Sequence, residues 1–193
     1  MQFISEFQVE QELCDSLITL HKIADERGLV TRGKLGTYND YKVDTNLKDS
    51  YDLGLEIVPD DLAIKYRIPD FYQALKNCYD QYIRQHEILK NLGPLELGES
   101  PIIQHYKPGG GFKFAHFERA TMMTSRRALV WMMYLNDVTD EGGTHFVYQD
   151  YTATPRKGKL LIWPTDFTHT HKGVVSPTQD KYIITGWLSF VLE

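Results

Sequence analysis

A chain of 193 residues, 42% hydrophobic and 24% charged, is long enough to bury one sizeable core and excludes wholesale disorder or a fibrous repeat. Its net charge of −5 and pI near 5.8 weigh against a nucleic-acid partner, because neutralising phosphates takes a cationic surface. With no apolar run of about 18 residues and no cationic leader, the expectation is one cytoplasmic domain over residues 1–193 with no membrane partner.

Ser5 and Gln8 have capping-box spacing, and Val9, Leu13, Leu17, Leu20 and Ala24 then recur at three- and four-residue steps. This predicts an amphipathic helix ending near Gly28. The two cysteines, Cys14 and Cys78, are too few for a disulfide framework or a cysteine zinc site, and read as reduced packing residues. Residues 30–66 carry scattered Gly, Asn, Asp, Lys and Tyr, with little periodicity beyond an apolar stretch at 53–58. Such a segment is either a mobile loop or irregular strands over a site mouth, and 30–58 is a candidate substrate-covering loop. Pro69 can open a second helix whose stripe is Phe71, Leu75, Cys78, Tyr79, Tyr82 and Leu89, stopped at Gly93-Pro94. Residues 1–100 are thus expected to be helical support with a candidate lid.

From residue 101 short β-type runs take over, at 102–106, 112–117, 129–135, 144–148, 159–163 and 182–191. Gly- and Pro-rich turn signals fall at 108–111, 140–143, 155–158 and 176–177. Spacing of this kind predicts an antiparallel sandwich or barrel, so residues 101–193 form the expected β core of an α+β, mainly β domain.

His116-Phe117-Glu118 puts an imidazole and a carboxylate two residues apart, which in a strand is one face. Chance alone supplies roughly one His-x-acid match in a chain of this composition, so the pair also reads as a satisfied polar contact. The segment 168–173 adds His169 and His171. Two histidines and one carboxylate make the facial triad that suits non-haem Fe(II) and leaves positions open for a co-substrate and dioxygen. Lys181, ten residues after His171 in an otherwise apolar run, is costly to bury unless an anion meets it. The plain alternative is an exposed lysine at the first residue of a strand.

Taken together, the residues resemble a known pattern. Tyr106-Lys-Pro-Gly-Gly-Gly-Phe112-Lys-Phe-Ala-His116-Phe-Glu118, Arg127, Tyr134-Leu-Asn-Asp137, Gly142-Gly-Thr-His-Phe146, Pro155-Arg-Lys-Gly158, His171-Lys-Gly173, Lys181 and Trp187 look like the catalytic half of the prolyl 4-hydroxylase-like Fe(II)/2-oxoglutarate dioxygenases. The resemblance covers about residues 101–191, and upstream only Lys48-Asp49-Ser50 is faintly similar to a family loop. It implies a double-stranded β-helix, a distorted jelly roll, braced by N-terminal helices. It also implies Fe(II), 2-oxoglutarate as co-substrate, dioxygen, and ascorbate as a supporting reductant. His116, Glu118 and His171 would be the metal ligands, and Lys181 the partner of the distal carboxylate of 2-oxoglutarate, with the Tyr134 hydroxyl beside it. Tyr106 and Thr185 match positions lining the co-substrate pocket, Trp187 matches an aromatic wall, and Arg127 a residue that positions substrate.

Two departures stand out: the family usually has Asp where this chain has Glu118, and Thr144-His145 leaves a spare imidazole that is a candidate substrate contact, a surplus ligand or neither. The implied activity is hydroxylation of a prolyl residue in a peptide or protein. The same chemistry on a free amino acid, another side chain or a nucleobase is the alternative, and an inactive β-roll binding module the non-enzyme one.

Overall fold

The computed structural model of the protein describes residues 3–35 and 42–192. In chain order the elements are β1 (Ser5–Gln8), α1 (Gln11–Glu26), β2 (Thr31–Arg32), β3 (Tyr51–Gly54), α2 (Asp60–Lys65), α3 (Ile68–Gln85), β4 (Leu95–Glu96) and β5 (Ile102–Tyr106). There follow β6 (Arg127–Tyr134), β7 (Thr144–Phe146), β8 (Tyr151–Ala153), β9 (Lys159–Pro164), β10 (His171–Gly173) and β11 (Lys181–Phe190). The major sheet runs β1-β9-β6-β11-β5-β3-β2, with β4 also paired to β11, and the minor sheet is β10-β7-β8. This is a mainly β double-stranded β-helix with helices packed on one side.

The continuous apolar runs of β6 and β9 are explained by burial on both faces. Leu129, Trp131 and Met133 of β6 and Leu160 and Ile162 of β9 pack with Leu13, Leu17, Phe71 and Leu75 of the helices. Their alternate neighbours, Val130, Met132 and Tyr134 with Leu161 and Trp163, pack instead with Phe146 and Ala153 of the minor sheet. Because side chains alternate along a strand, β11 divides the same way: Tyr182, Ile184 and Leu188 join the helical side. Lys181, Ile183, Thr185 and Trp187 are left facing inward, where all four line one cavity.

Several local expectations give way to tertiary pairing. Ser5–Gln8 is no capping box: it is an edge strand in register with β9, from Ser5↔Ile162 to Gln8↔Lys159. The helix begins after Glu10, which makes no side-chain cap. Pro69 does sit in the first turn of α3, but that helix stops at Gln85, and Leu89 falls in a separate 3₁₀ turn at Glu87–Asn91. Residues 30–66 hold β2, β3 and α2, so 1–100 contributes strands as well as helices. Residues 36–41 of the candidate lid lie outside the described residues. The run 112–117 is not a strand: its ladder contacts are the isolated bridges Lys48↔Phe112 and His116↔His171. The 144–148 run ends as a strand at Phe146, and β8 carries no comparable apolar signal. Among the described residues no helix is long and apolar enough to cross a membrane.

Gly186 marks the tightest crossing, since a Cβ there would lie 2.5 Å from Cζ2 of the fully buried Trp131. Gly186→Ala is expected to destabilise the fold by about 1–3 kcal/mol through overpacking. Denaturant unfolding checks this: an unchanged midpoint would mean that the Trp131 packing is looser than the structure has it.

Candidate metal and anion site

The inward residues of β5, β6 and β11, together with Thr144, His116, Glu118 and His171, line one cavity of about 290 Å³. His116 and His171 are joined by reciprocal backbone hydrogen bonds, each 2.9 Å, and the Glu118 amide donates to the Thr165 carbonyl at 3.0 Å. The backbone therefore sets the spacing of all three side chains, although no regular strand runs through His116.

Each histidine has its Nδ1 against a backbone carbonyl two residues earlier, His116 on Phe114 at 2.8 Å and His171 on His169 at 2.9 Å. A carbonyl only accepts, so each Nδ1 carries a proton, and each Nε2 is left to share a proton with an acceptor or to give its lone pair to a cation. Both Nε2 atoms face Glu118 Oε1, at 3.2 Å and 3.5 Å, and the ligand atoms of the three residues lie within 4.8 Å of one another. Burial raises the Glu118 carboxyl, but hydrogen bonding to His116 and His171 outweighs it and holds the group well below the usual carboxylate range. An ionised carboxylate and two lone pairs converging on one point fit a divalent cation. Phe112 stacks on the His116 ring at 4.0 Å, and Trp163 meets the His171 ring edge-on at 5.1 Å, restricting both rings.

Elsewhere along the same wall Lys181 is 4% exposed. Its Nζ donates to the carbonyls of Gly142 at 3.0 Å and Val174 at 3.3 Å, and no carboxylate among the described residues pairs with it. Burial pushes the amine down to about 8. Its other neighbour is the face of the Tyr106 ring, whose centroid is 5.0 Å from Nζ, and a buried cation met only by carbonyls and a ring is stabilised by an incoming anion. Tyr134 borders the same space: its hydroxyl is 2.7 Å from Thr144 Oγ1 and 3.3 Å from the Ala153 carbonyl, and burial pushes the phenol up, so it stays a donor. Tyr106 donates to Gln104 Oε1 at 2.7 Å. Thr185 lines the cavity with its hydroxyl donated to the Trp131 carbonyl at 3.0 Å.

Trp187 does more than form a wall, because its Nε1 donates to Glu118 Oε2 at 3.0 Å. Arg127 is engaged by protein groups, pairing with Glu99 at 2.5 Å and Glu118 at 3.5 Å. His145 sits between Thr144 and Phe146 on β7 and takes the opposite face, with Nδ1 3.0 Å from Thr152 Oγ1, beside a separate concavity lined by Lys113 and Lys172. His169 is buried in the 3₁₀ turn Phe167–His169, its Nδ1 3.0 Å from Thr168 Oγ1. Neither histidine belongs to the converging group. Glu99, Gln104 and Lys48 also line the cavity. Lys48 falls in the segment faintly similar to a family loop, Gln104 stands two residues from Tyr106 on one strand face, and Glu99 has no signal in the sequence.

Residues 101–189 match the family model of the 2OG-Fe(II) oxygenase superfamily. No curated protein matches the chain. Among solved structures it is similar to a Pseudomonas putida prolyl-4-hydroxylase, at 18% identity over 96% of this chain and 92% of that one, with a TM-score of 0.70. It is also similar to a viral collagen prolyl hydroxylase of Paramecium Bursaria Chlorella virus-1, at 15% identity, 98% and 97% coverage and a TM-score of 0.67. A Trichoplax adhaerens prolyl hydroxylase in complex with a hypoxia inducible factor peptide fragment shares 14% identity, with 98% and 84% coverage and a TM-score of 0.75.

Two sets of variants test the geometry. Glu118→Ala is expected to abolish hydroxylation coupled to co-substrate consumption, and Glu118→Asp to retain measurable activity, whereas His145→Ala and His169→Ala keep bound Fe(II). Loss of metal from either histidine variant, with metal and turnover intact in Glu118→Ala, would overturn the triad. Lys181→Ala removes one member of a buried ion pair, worth about 3–5 kcal/mol, so the apparent KM for 2-oxoglutarate should rise more than about a hundredfold with iron binding nearly intact. The protonated amine is the form that attracts a carboxylate, so wild-type affinity for 2-oxoglutarate should weaken as pH rises through about 8. Titrations of both proteins against pH check this, and an unchanged co-substrate dependence in Lys181→Ala removes the assignment.

Proposed function

We propose that the chain, whose residues 101–189 match the family model of the 2OG-Fe(II) oxygenase superfamily, is an oxygenase of that kind that hydroxylates a prolyl residue in a peptide or protein. The observation that carries the proposal is a cluster of His116, Glu118 and His171, the first two half-buried and the third buried, in one cavity with Lys181. The substrate class rests on the three similar structures, which are all prolyl hydroxylases, one of them holding a peptide fragment.

In this mechanism His116, Glu118 and His171 would hold Fe(II). Fe(II) with 2-oxoglutarate supplies the oxidising chemistry, in which dioxygen is consumed, carbon dioxide and succinate are released and one oxygen atom reaches the substrate. Lys181 receives the distal carboxylate, with the Tyr134 hydroxyl as a second donor. The ion pair forms where water is scarce, which strengthens it. Phe112, Trp163, Ile183 and Trp187 line the cavity and exclude water from the reacting atoms. Lys34 and Leu35, next to β2, line the same cavity, so substrate is assigned to the side of the β2–β3 connection. Because β3 is paired with β5 and Leu53, Leu55 and Val58 are in the core, the cover is assigned to the described stretches 33–35 and 42–50 and not to all of 30–58.

Residues 1–193 are read as one catalytic domain, since the helices and the major sheet share one core. Cys14 and Cys78 are free, buried, and pushed up to about 11 by burial, which suits the reducing cytoplasm.

The test is a panel of proline-containing and proline-free peptides incubated with protein, Fe(II), 2-oxoglutarate and ascorbate. A one-oxygen mass gain confined to proline-containing peptides is expected, with succinate in equal amount. Gain on proline-free peptides or on a free amino acid would move the substrate class, and no conversion of 2-oxoglutarate under any condition would favour a binding module. The same peptides should slow proteolytic cutting within residues 33–35 and 42–50. Equal cleavage with peptide demonstrably bound would remove the cover.

A further inference from the structure

Glu118 has one methylene more than the aspartate usual at this position, and its terminal carboxylate torsion is intrinsically broad. Left free, such a side chain would present either oxygen, or both, to a cation. The structure removes that freedom. Oε1 faces the two imidazoles, while Oε2 accepts from Trp187 Nε1 at 3.0 Å and lies 3.5 Å from Arg127 Nη1.

Arg127 is in turn fixed from three directions. Its Nε and Nη2 each reach one oxygen of Glu99 at 2.5 Å, a two-point fork, and Nη1 also reaches the Glu118 carbonyl at 3.3 Å. Its guanidinium carbon lies 3.7 Å from the centroid of the Trp187 ring. The Arg127 and Glu118 side chains are 14% and 12% exposed, so their contact is shielded from solvent, whereas Glu99 at 41% stands nearer the opening.

We propose that Glu99 and Arg127 are positioning residues which, with the Trp187 indole, clamp Glu118 so that it offers a single oxygen to the metal. The clamp rests on the reading of His116, Glu118 and His171 as the ligand set, and not on the identity of the substrate. It gives a reason for the longer side chain. The added methylene carries Oε2 to the indole and guanidinium while Oε1 stays with the histidines, and an aspartate can hold one set of contacts but not both. A carboxylate free to turn would compete with the co-substrate for the metal, and the contacts to Oε2 would prevent that turn. Arg127, which the family resemblance places at substrate, has Nε, Nη1 and Nη2 directed at protein oxygens here.

The experiment needs no peptide, so a wrong substrate assignment cannot mimic its failure. Fe(II) binding is titrated anaerobically, and the visible charge-transfer band of the Fe(II)–2-oxoglutarate complex is recorded, for wild type, Arg127→Ala, Arg127→Lys, Glu99→Ala, the double variant Glu99→Ala/Arg127→Ala, and Trp187→Phe. Groups that orient a metal ligand typically contribute about 10–100-fold in affinity, so Arg127→Ala is expected to weaken Fe(II) binding by that factor and to shift the band. Arg127→Lys should not rescue it, since an ammonium has neither the planar fork nor the stacking face. Glu99→Ala should weaken binding in the wild-type background and add nothing once Arg127 is absent, the signature of action through a shared partner. Trp187→Phe keeps the ring and removes the donor, so it tests the indole even if an Arg127 variant folds poorly, and a shifted band is expected. The clamp is overturned if Glu99→Ala has the same effect in both backgrounds, or if Arg127→Ala and Trp187→Phe each bind Fe(II) with wild-type affinity and an unshifted band.

Discussion

The two-residue alternation of β6, β9 and β11, with both faces buried, is the constraint on which the rest of the structure depends. One face must be covered by α1 and α3 and the other by the short minor sheet, because apolar side chains on either side gain roughly 25 cal/mol for each Å² removed from water. The inward face is apolar in its middle and polar where chemistry is placed. On β11 the sequence Lys181, Ile183, Thr185, Trp187 marks that face, and a one-residue slip against β6 would turn all four toward the helices. The register Ile183↔Tyr134 to Trp187↔Val130 is therefore a requirement of the site as much as of the core.

The same strand keeps opposite charges apart. Trp187, whose indole touches Glu118, is six residues beyond Lys181, roughly 20 Å of extended chain. Glu118 is answered by two imidazoles, a guanidinium and an indole N–H, and Lys181 by two carbonyls and the face of the Tyr106 ring. Had the lysine and the carboxylate been close enough to pair, each would have satisfied the other and neither would have needed a ligand. Their separation leaves one end of the cavity suited to a cation and the other to an anion, as a small dicarboxylate bound to a metal requires.

How much of this was legible varies with the range of the physics involved. Strands β5, β6, β9 and β11 were readable because burial on both faces demands long apolar runs, and Lys181 stood out as a cation inside such a run. His116 and Glu118 were paired on the premise of a shared strand face, yet their spacing comes from the bridge to His171 and the bond to the Thr165 carbonyl. Neither contact has a local signal. Ser5–Gln8 was misread as a cap because a capping box is local, whereas pairing with β9, more than 150 residues away, is not. Glu99 was invisible for a related reason: a lone glutamate ahead of a strand acquires meaning only when Arg127, 28 residues later, folds against it.

The residues proposed to hold metal and co-substrate include members of both sheets, which connects the chemistry back to the fold. His171 belongs to the minor sheet, paired to Phe146 on one side and bridged to His116 on the other. Lys181 and Tyr134 belong to the major sheet. Minor-sheet strands of three residues hold few ladder bonds of their own, so their position owes much to the side chains between the sheets, Phe146 and Ala153 against Leu161 and Trp163. A co-substrate that engages a metal at one end and Lys181 at the other spans that same gap and adds a polar tie to the apolar one. A ligand bound in a cavity lined by both sheets therefore adds to what holds them together.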